Sequence, residues 1–149
     1  MRIYLDLCCL KRPFDAQDQS LVRLQTDAVL SILALPGKTA ALIRASAQVL
    51  ENSLNPVQAR REAVASWLAQ APVAQLSDED LSPRIANLIA FGFKSFDAFH
   101  LASAELSEAD VFLTVDFPLL KLATRLSEKL HVRVADPVSL LEELSQWIH

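Results

Sequence analysis

Short β-branched or aromatic runs alternate along this chain with segments of helical periodicity, and that alternation constrains the fold more than any other feature. Ile3-Tyr4-Leu5 is a strand-length apolar run that leads directly into Asp6. Lys11 to Gln19 is polar and holds Pro13, which predicts a loop. Leu21, Leu24, Ala28, Ile32 and Leu35 recur at spacings of 3 and 4, which predicts an amphipathic helix ended by Pro36-Gly37. Ala40 to Ile43 is a second strand-length run. Ser46 is placed to cap a helix through Leu54, and Asn55-Pro56 to open the next, up to about Gln70. Val73 to Leu76 reads as a short extended segment. Ser77, with Asp80 three residues on, marks the start of a helix ending near Gly92, and Ser95 another through Leu106. Val111 to Val115 is the clearest strand. Asp116 and Pro118 open a helix to about Lys129, Val132 to Val134 forms a last strand, and Asp136-Pro137 caps the C-terminal helix.

Strands alternating with helices imply a parallel sheet covered on both faces. At 149 residues the chain is expected to be a single domain, 1–149, with a core that needs neither disulfides nor a structural metal. Its 26 Leu and 21 Ala exclude a disordered chain, and its two glycines argue against a turn-rich β-sandwich. No apolar run approaches the roughly 20 residues that cross a bilayer. No secretory signal is visible at the N-terminus, so a cytoplasmic protein is expected. Cys8 and Cys9 are adjacent; on a strand they would point to opposite faces and could not bridge. Without a spaced Cys/His set, zinc is not expected. The net charge of -4 does not mark a nucleic-acid binder. It remains compatible with phosphodiester chemistry if the acids hold cations.

In open α/β sheets, ligands bind beyond the carboxyl ends of the strands. Asp6 and Asp116 each follow a predicted strand directly, so both fall at that edge. If the two strands are neighbours, the carboxylates are close, and like charges that close call for a cation. An oxygen-only donor set suits Mg²⁺ or Mn²⁺. Asp97 lies in the first turn of the almost wholly apolar helix Phe96 to Ala104. It is either an acid favoured by the helix dipole or a buried carboxylate in need of a cation. Glu51, on the helix after the second strand, is a fourth candidate, or a solvated helix residue. His100 shares a face with Asp97 but reads as a hydrogen-bonded core residue, since no Ser or Cys nucleophile accompanies it. Asp136 reads as an N-cap, and Asp110 precedes its strand and so falls at the opposite edge. A phosphate-accepting receiver-like domain would need a second acid around the first strand, where Asp6 stands alone.

The segments Ile3-Tyr4-Leu5-Asp6, Glu51 followed by Asn55-Pro56, Phe96 to Glu105 and Phe112 to Asp116 together resemble a PIN domain in order and spacing over essentially the whole chain. The resemblance implies a three-layer α/β/α sandwich around a parallel sheet of four to five strands. It also implies a metal-dependent endoribonuclease, and specifically the VapC-type toxin of a type II toxin–antitoxin pair. By resemblance Asp6, Glu51, Asp97 and Asp116 form the acidic quartet that holds Mg²⁺ or Mn²⁺, with Glu51 or Asp116 orienting the attacking water. Lys11, Arg12 and Lys94, with Lys121 and Arg125 further out, are the candidate contacts to RNA phosphates. A homodimer and an antitoxin partner are expected. One position departs from the family, which usually carries Thr or Ser right after the first Asp; this chain has Leu7. On a strand Leu7 would face away from Asp6, and the missing hydroxyl predicts a slow, Mn²⁺-preferring enzyme, or else a PIN-like binding module acting through protein contacts.

Overall fold

The structure, a computed structural model, describes residues 1–148. The chain runs β1 (Arg2–Leu5), α1 (Leu7–Lys11), a 3₁₀ turn (Arg12–Phe14), α2 (Ser20–Leu33), β2 (Ala41–Leu42), α3 (Ser46–Ser53), α4 (Gln58–Leu68) and α5 (Asp78–Ala90). It continues through α6 (Ser95–Leu106), β3 (Val111–Leu113), α7 (Phe117–Arg125), a second 3₁₀ turn (Ser127–Lys129), β4 (Arg133–Ala135) and α8 (Pro137–Ile148). The strands form one parallel sheet in the order β2-β1-β3-β4. At its edge a single parallel bridge joins Arg44 to Val73, which is all that forms of the extended segment expected at Val73 to Leu76.

Alternation along the strands divides the core into two layers. Tyr4 and Phe112, paired in register, point to one face and stack at 5.3 Å between ring centroids. They pack with Leu88, Leu101, Ala102, Leu119 and Ala123 of α5, α6 and α7. Ile3, Leu5, Val111 and Leu113 point to the other face and pack with Leu10, Val29, Ile32, Val64 and Leu140 of α1, α2, α4 and α8. The sheet thus has helices on both sides, the three-layer α/β/α arrangement expected from the sequence. Among the described residues no helix is long and apolar enough to cross a membrane.

Several local expectations give way to tertiary packing. The segment after Asp6 is not strand and then loop but helix and 3₁₀ turn, because Leu7, Cys9 and Leu10 all find burial against the sheet once the chain turns at Asp6. Leu7 is therefore a fully buried core residue at the start of α1 rather than a strand residue. Cys8 and Cys9 stay unbridged, but on a helix: Cys9 is buried in the core and Cys8 is half-exposed. Ala45, not Ser46, precedes α3, and Gln48 supplies the missing cap by accepting from the Ala45 N–H at 2.9 Å. Asn55 does not open α4 directly; its side chain accepts from Val57 N–H at 3.1 Å in a turn, and the helix begins at Gln58. Lys94 rather than Ser95 occupies the N-cap of α6. The chain reaches it through Gly92 at φ +116°, a conformation that side-chain-bearing residues rarely adopt.

Ser77 and Asp136 behave as read from the sequence. The Ser77 hydroxyl accepts from Asp80 N–H, and Asp136 accepts from both the N–H and the hydroxyl of Ser139, at 3.0 and 2.6 Å. Asp136→Ala is expected to cost about 1 kcal/mol in urea unfolding, the usual loss for a helix cap, while leaving the acidic pocket described next unaltered.

Candidate active site

The central β1–β3 pair builds the site. One ladder bond beyond β1, Asp6 N–H donates to Leu113 O at 2.9 Å, and one beyond β3, Thr114 N–H donates to Ala135 O at 3.0 Å. These bonds fix Asp6 and Thr114 side by side where both strands end. The Thr114 hydroxyl donates to Asp6 Oδ2 at 2.8 Å and accepts from Asp116 N–H at 3.1 Å. The Cys8 thiol donates to the same Asp6 oxygen at 3.3 Å. Asp116 caps α7 by accepting from Leu119 N–H. Asp97 lies in the first turn of α6, and Glu51 on α3.

Asp6, Glu51, Asp97 and Asp116 line one recess of about 200 Å³, together with Cys8, Lys11, Arg12 and Asp15. Arg12 is paired with Asp15 at 3.0 Å. Lys94 lies outside this recess; it borders an adjoining one that shares Asp97 and Asp116. Asp110, at the opposite edge, accepts from Arg2 N–H.

The pocket is electrostatically crowded. Burial, then the charges of Asp6 and Asp116, push the Asp97 carboxyl up from 3.8 to about 6, against the pull of His100 and Lys94. Burial also raises Asp6, although His100 and the donors on Thr114 and Cys8 favour its charged form. For Glu51, burial acts upward, but the hydrogen bond and charge of His100, helped by Lys11, outweigh it and leave the carboxyl below its usual range. Four carboxylates are hard oxygen donors of the type that Mg²⁺ and Mn²⁺ take. A cation would relieve the repulsion that raises Asp97. The donor set thus fits such an ion in chemistry. Among the described residues no three His, Cys, Asp or Glu side chains stand together as a ready-made ligand cage.

No protein-family profile matches the sequence, and a search among curated proteins finds no significant match. The fold does have a counterpart among solved structures. VapBC-1 from nontypeable Haemophilus influenzae aligns with a TM-score of 0.59 at 12% identity, over 92% of this chain and 98% of that one. The two chains share a fold. At 12% identity the likeness speaks for the fold, and the chemistry rests on the pocket itself.

The fold brings Asp6, Glu51, Asp97 and Asp116 into one recess with Lys11 and Arg12; the strand-end argument places only Asp6 and Asp116 at this edge, and Glu51 is not the merely solvated helix residue that it could have been. Sequence reasoning missed Thr114, Cys8 and Asp15. Thr114 was legible in principle, as a hydroxyl between an apolar strand and Asp116; Cys8 was not, because its direction depends on α1 being a helix. The hydroxyl expected at position 7 is supplied to Asp6 by Thr114, across the sheet.

The raised Asp97 carboxyl has a consequence for stability. Ionising Asp97 costs more in the folded than in the unfolded chain, so the protein carries no penalty below pH 3.8 and the full one above pH 6. The full shift corresponds to about 3 kcal/mol. Solvent screening of a half-buried group reduces this to on the order of 1 kcal/mol. With chelator present, Asp97→Asn is expected to unfold at higher urea than wild type at pH 7.5 and at similar urea at pH 3.5. Equal midpoints at both values would contradict the crowding.

Proposed function

We propose that this chain is a metal-dependent endoribonuclease, and that Asp6, Asp97, Asp116 and Glu51 hold one or more Mg²⁺ or Mn²⁺ ions. The observation that carries this reading is the convergence of four carboxylates from four elements on one recess at the carboxyl edge of the sheet. When bound, such an ion supplies a more acidic attacking water and compensates charge on the phosphate. The chain's own residues do the rest. Thr114 and Cys8 orient Asp6, α7 fixes Asp116 through its N-cap, and Glu51 or Asp116 accepts a hydrogen bond from the water and so aligns it. Lys11 and Arg12 on the rim, and Lys94 on the neighbouring recess, offer cations to the RNA backbone.

The VapC-like fold and the pocket together support the toxin of a type II toxin–antitoxin pair, with a protein antitoxin as partner. A homodimer fits the exposed apolar residues Leu21, Leu24 and Phe117. With Val115, Leu120 and Val138 they line a groove of about 490 Å³ between α2, α7 and α8. Sedimentation at micromolar concentration is expected to show a dimer; a monomer throughout would remove that part of the proposal.

The binding-module alternative drew on Leu7. Its argument weakens once Leu7 is a core residue and Thr114 serves Asp6. Leu7→Thr would accordingly place a hydroxyl in the core instead of improving the site.

The direct test is cleavage of a mixed RNA substrate by the purified chain with Mg²⁺ or Mn²⁺, with and without chelator. Asp6→Asn is expected to abolish cleavage. Thr114→Val, which removes the donor to Asp6 and the acceptor for Asp116 N–H, is expected to leave activity about 10–100-fold lower, the usual effect of losing support behind a metal ligand. Metal-independent cleavage would sink the metal-dependent mechanism, and no cleavage with either ion across structured and unstructured RNAs would sink the nuclease reading in favour of a binding module.

A further inference from the structure

His100 is buried at the edge of the acidic pocket, and the metal reading gives it no task. Its side chain is 1% exposed on α6. Nδ1 lies 2.7 Å from the Tyr4 hydroxyl, and Nε2 lies 2.5 Å from Glu51 Oε2. Tyr4 is itself immobilised: it is fully buried on the central strand, stacked on Phe112, and meets the imidazole edge-on at 5.8 Å. Phe96 covers the imidazole at 6.3 Å. Three elements, β1, α6 and α3, thus meet in a hydrogen-bonded line that ends on a carboxylate of the pocket.

The chemistry of the line fixes its direction. Burial holds the Tyr4 phenol protonated, so its O–H can donate to Nδ1, which is the acceptor when the neutral imidazole carries its proton on Nε2. A carboxylate accepts only, so Nε2 must carry the proton that points at Glu51. With its Oε2 held there, Glu51 is restricted to offering the pocket its other oxygen.

We propose that His100 is a positioning residue. Anchored by the Tyr4 hydroxyl, it holds Glu51 by one oxygen and so presents the other to whatever cation or water occupies the acidic pocket. This deepens the metal-dependent reading and rests on it. Among the described residues Glu51 has no other device to fix it. Asp6 is fixed by a ladder bond and Asp116 by its cap, whereas Glu51 sits on a longer side chain from the eight-residue helix α3. The direction of its pKa agrees: His100 more than offsets the burial that would otherwise favour the neutral acid.

The test is a double-mutant cycle read by Mn²⁺ affinity, using the electron paramagnetic resonance signal of the free ion. Wild type, His100→Leu, His100→Gln and Tyr4→Phe are compared in the Glu51 and Glu51→Ala backgrounds, with thermal unfolding recorded for each. With Glu51 present, His100→Leu is expected to weaken Mn²⁺ binding about 10–100-fold, and His100→Gln, which keeps an N–H donor, to recover part of the loss. Once Glu51 is alanine, neither change should matter by more than about 2-fold. A structural role would lower affinity and melting temperature alike in both backgrounds, and that result overturns the proposal, as does unchanged affinity in folded His100→Leu. If His100→Leu does not fold, Tyr4→Phe runs the same cycle, with a smaller loss that must again vanish in Glu51→Ala. If wild type binds no Mn²⁺, the metal reading fails separately. The nitrogen-15 spectrum of the protein then decides the positioning: a protected Nε2–H on His100 that is lost in Glu51→Ala supports it, and its absence refutes it.

Discussion

The in-register pairing of β1 with β3 is the constraint on which the rest of the molecule depends. Ile3 faces Val111, Tyr4 faces Phe112 and Leu5 faces Leu113. Because the strands run parallel and stop at the same level, the residues that follow them emerge at one edge. The same pairing splits the core, sending Tyr4 and Phe112 to one layer of helices and their neighbours to the other. A slip of one residue would invert both layers at once and carry Asp6 away from Thr114.

Concentrating carboxylates at that edge works against folding. Asp97 shows the cost in its raised pKa, and Asp6 shows it in its need for two side-chain donors. The structure offsets the repulsion locally instead of avoiding it. A hydroxyl and a thiol serve Asp6, a helix N-terminus serves Asp116, an imidazole serves Glu51, and Lys11 and Arg12 stand on the rim. Asp97 receives no such support, and its carboxyl is pushed up to about 6. A site that keeps such charges together, when burying fewer would be more stable, has the character of a functional site.

His100 shows how one side chain can serve core and site together. Its ring packs between Tyr4 and Phe96, while its two nitrogens join the tyrosine hydroxyl to Glu51. Reading it as a hydrogen-bonded core residue is correct for its packing, yet it omits its partner, because Tyr4 and Glu51 are brought to it by two other elements.

The sequence by itself determined the layered α/β class, the positions of most elements and the acids at the strand ends. Those follow from local rules: period-2 and period-3.6 apolar patterns, cap residues, and the directness with which Asp6 and Asp116 succeed their strands. Tertiary structure alone decided the strand order, the helical turn after Asp6 and the contacts behind the acids. The stretch after Asp6, expected to continue as strand, became α1 because Leu7, Cys9 and Leu10 could be buried only against a sheet that the local sequence does not contain. Thr114 took up the Asp6 carboxylate from 108 residues away, and His100 took up Glu51 from 49. Such bonds depend on which strand lies beside which, and that order is set by packing of the whole chain, not by the pattern of any one segment.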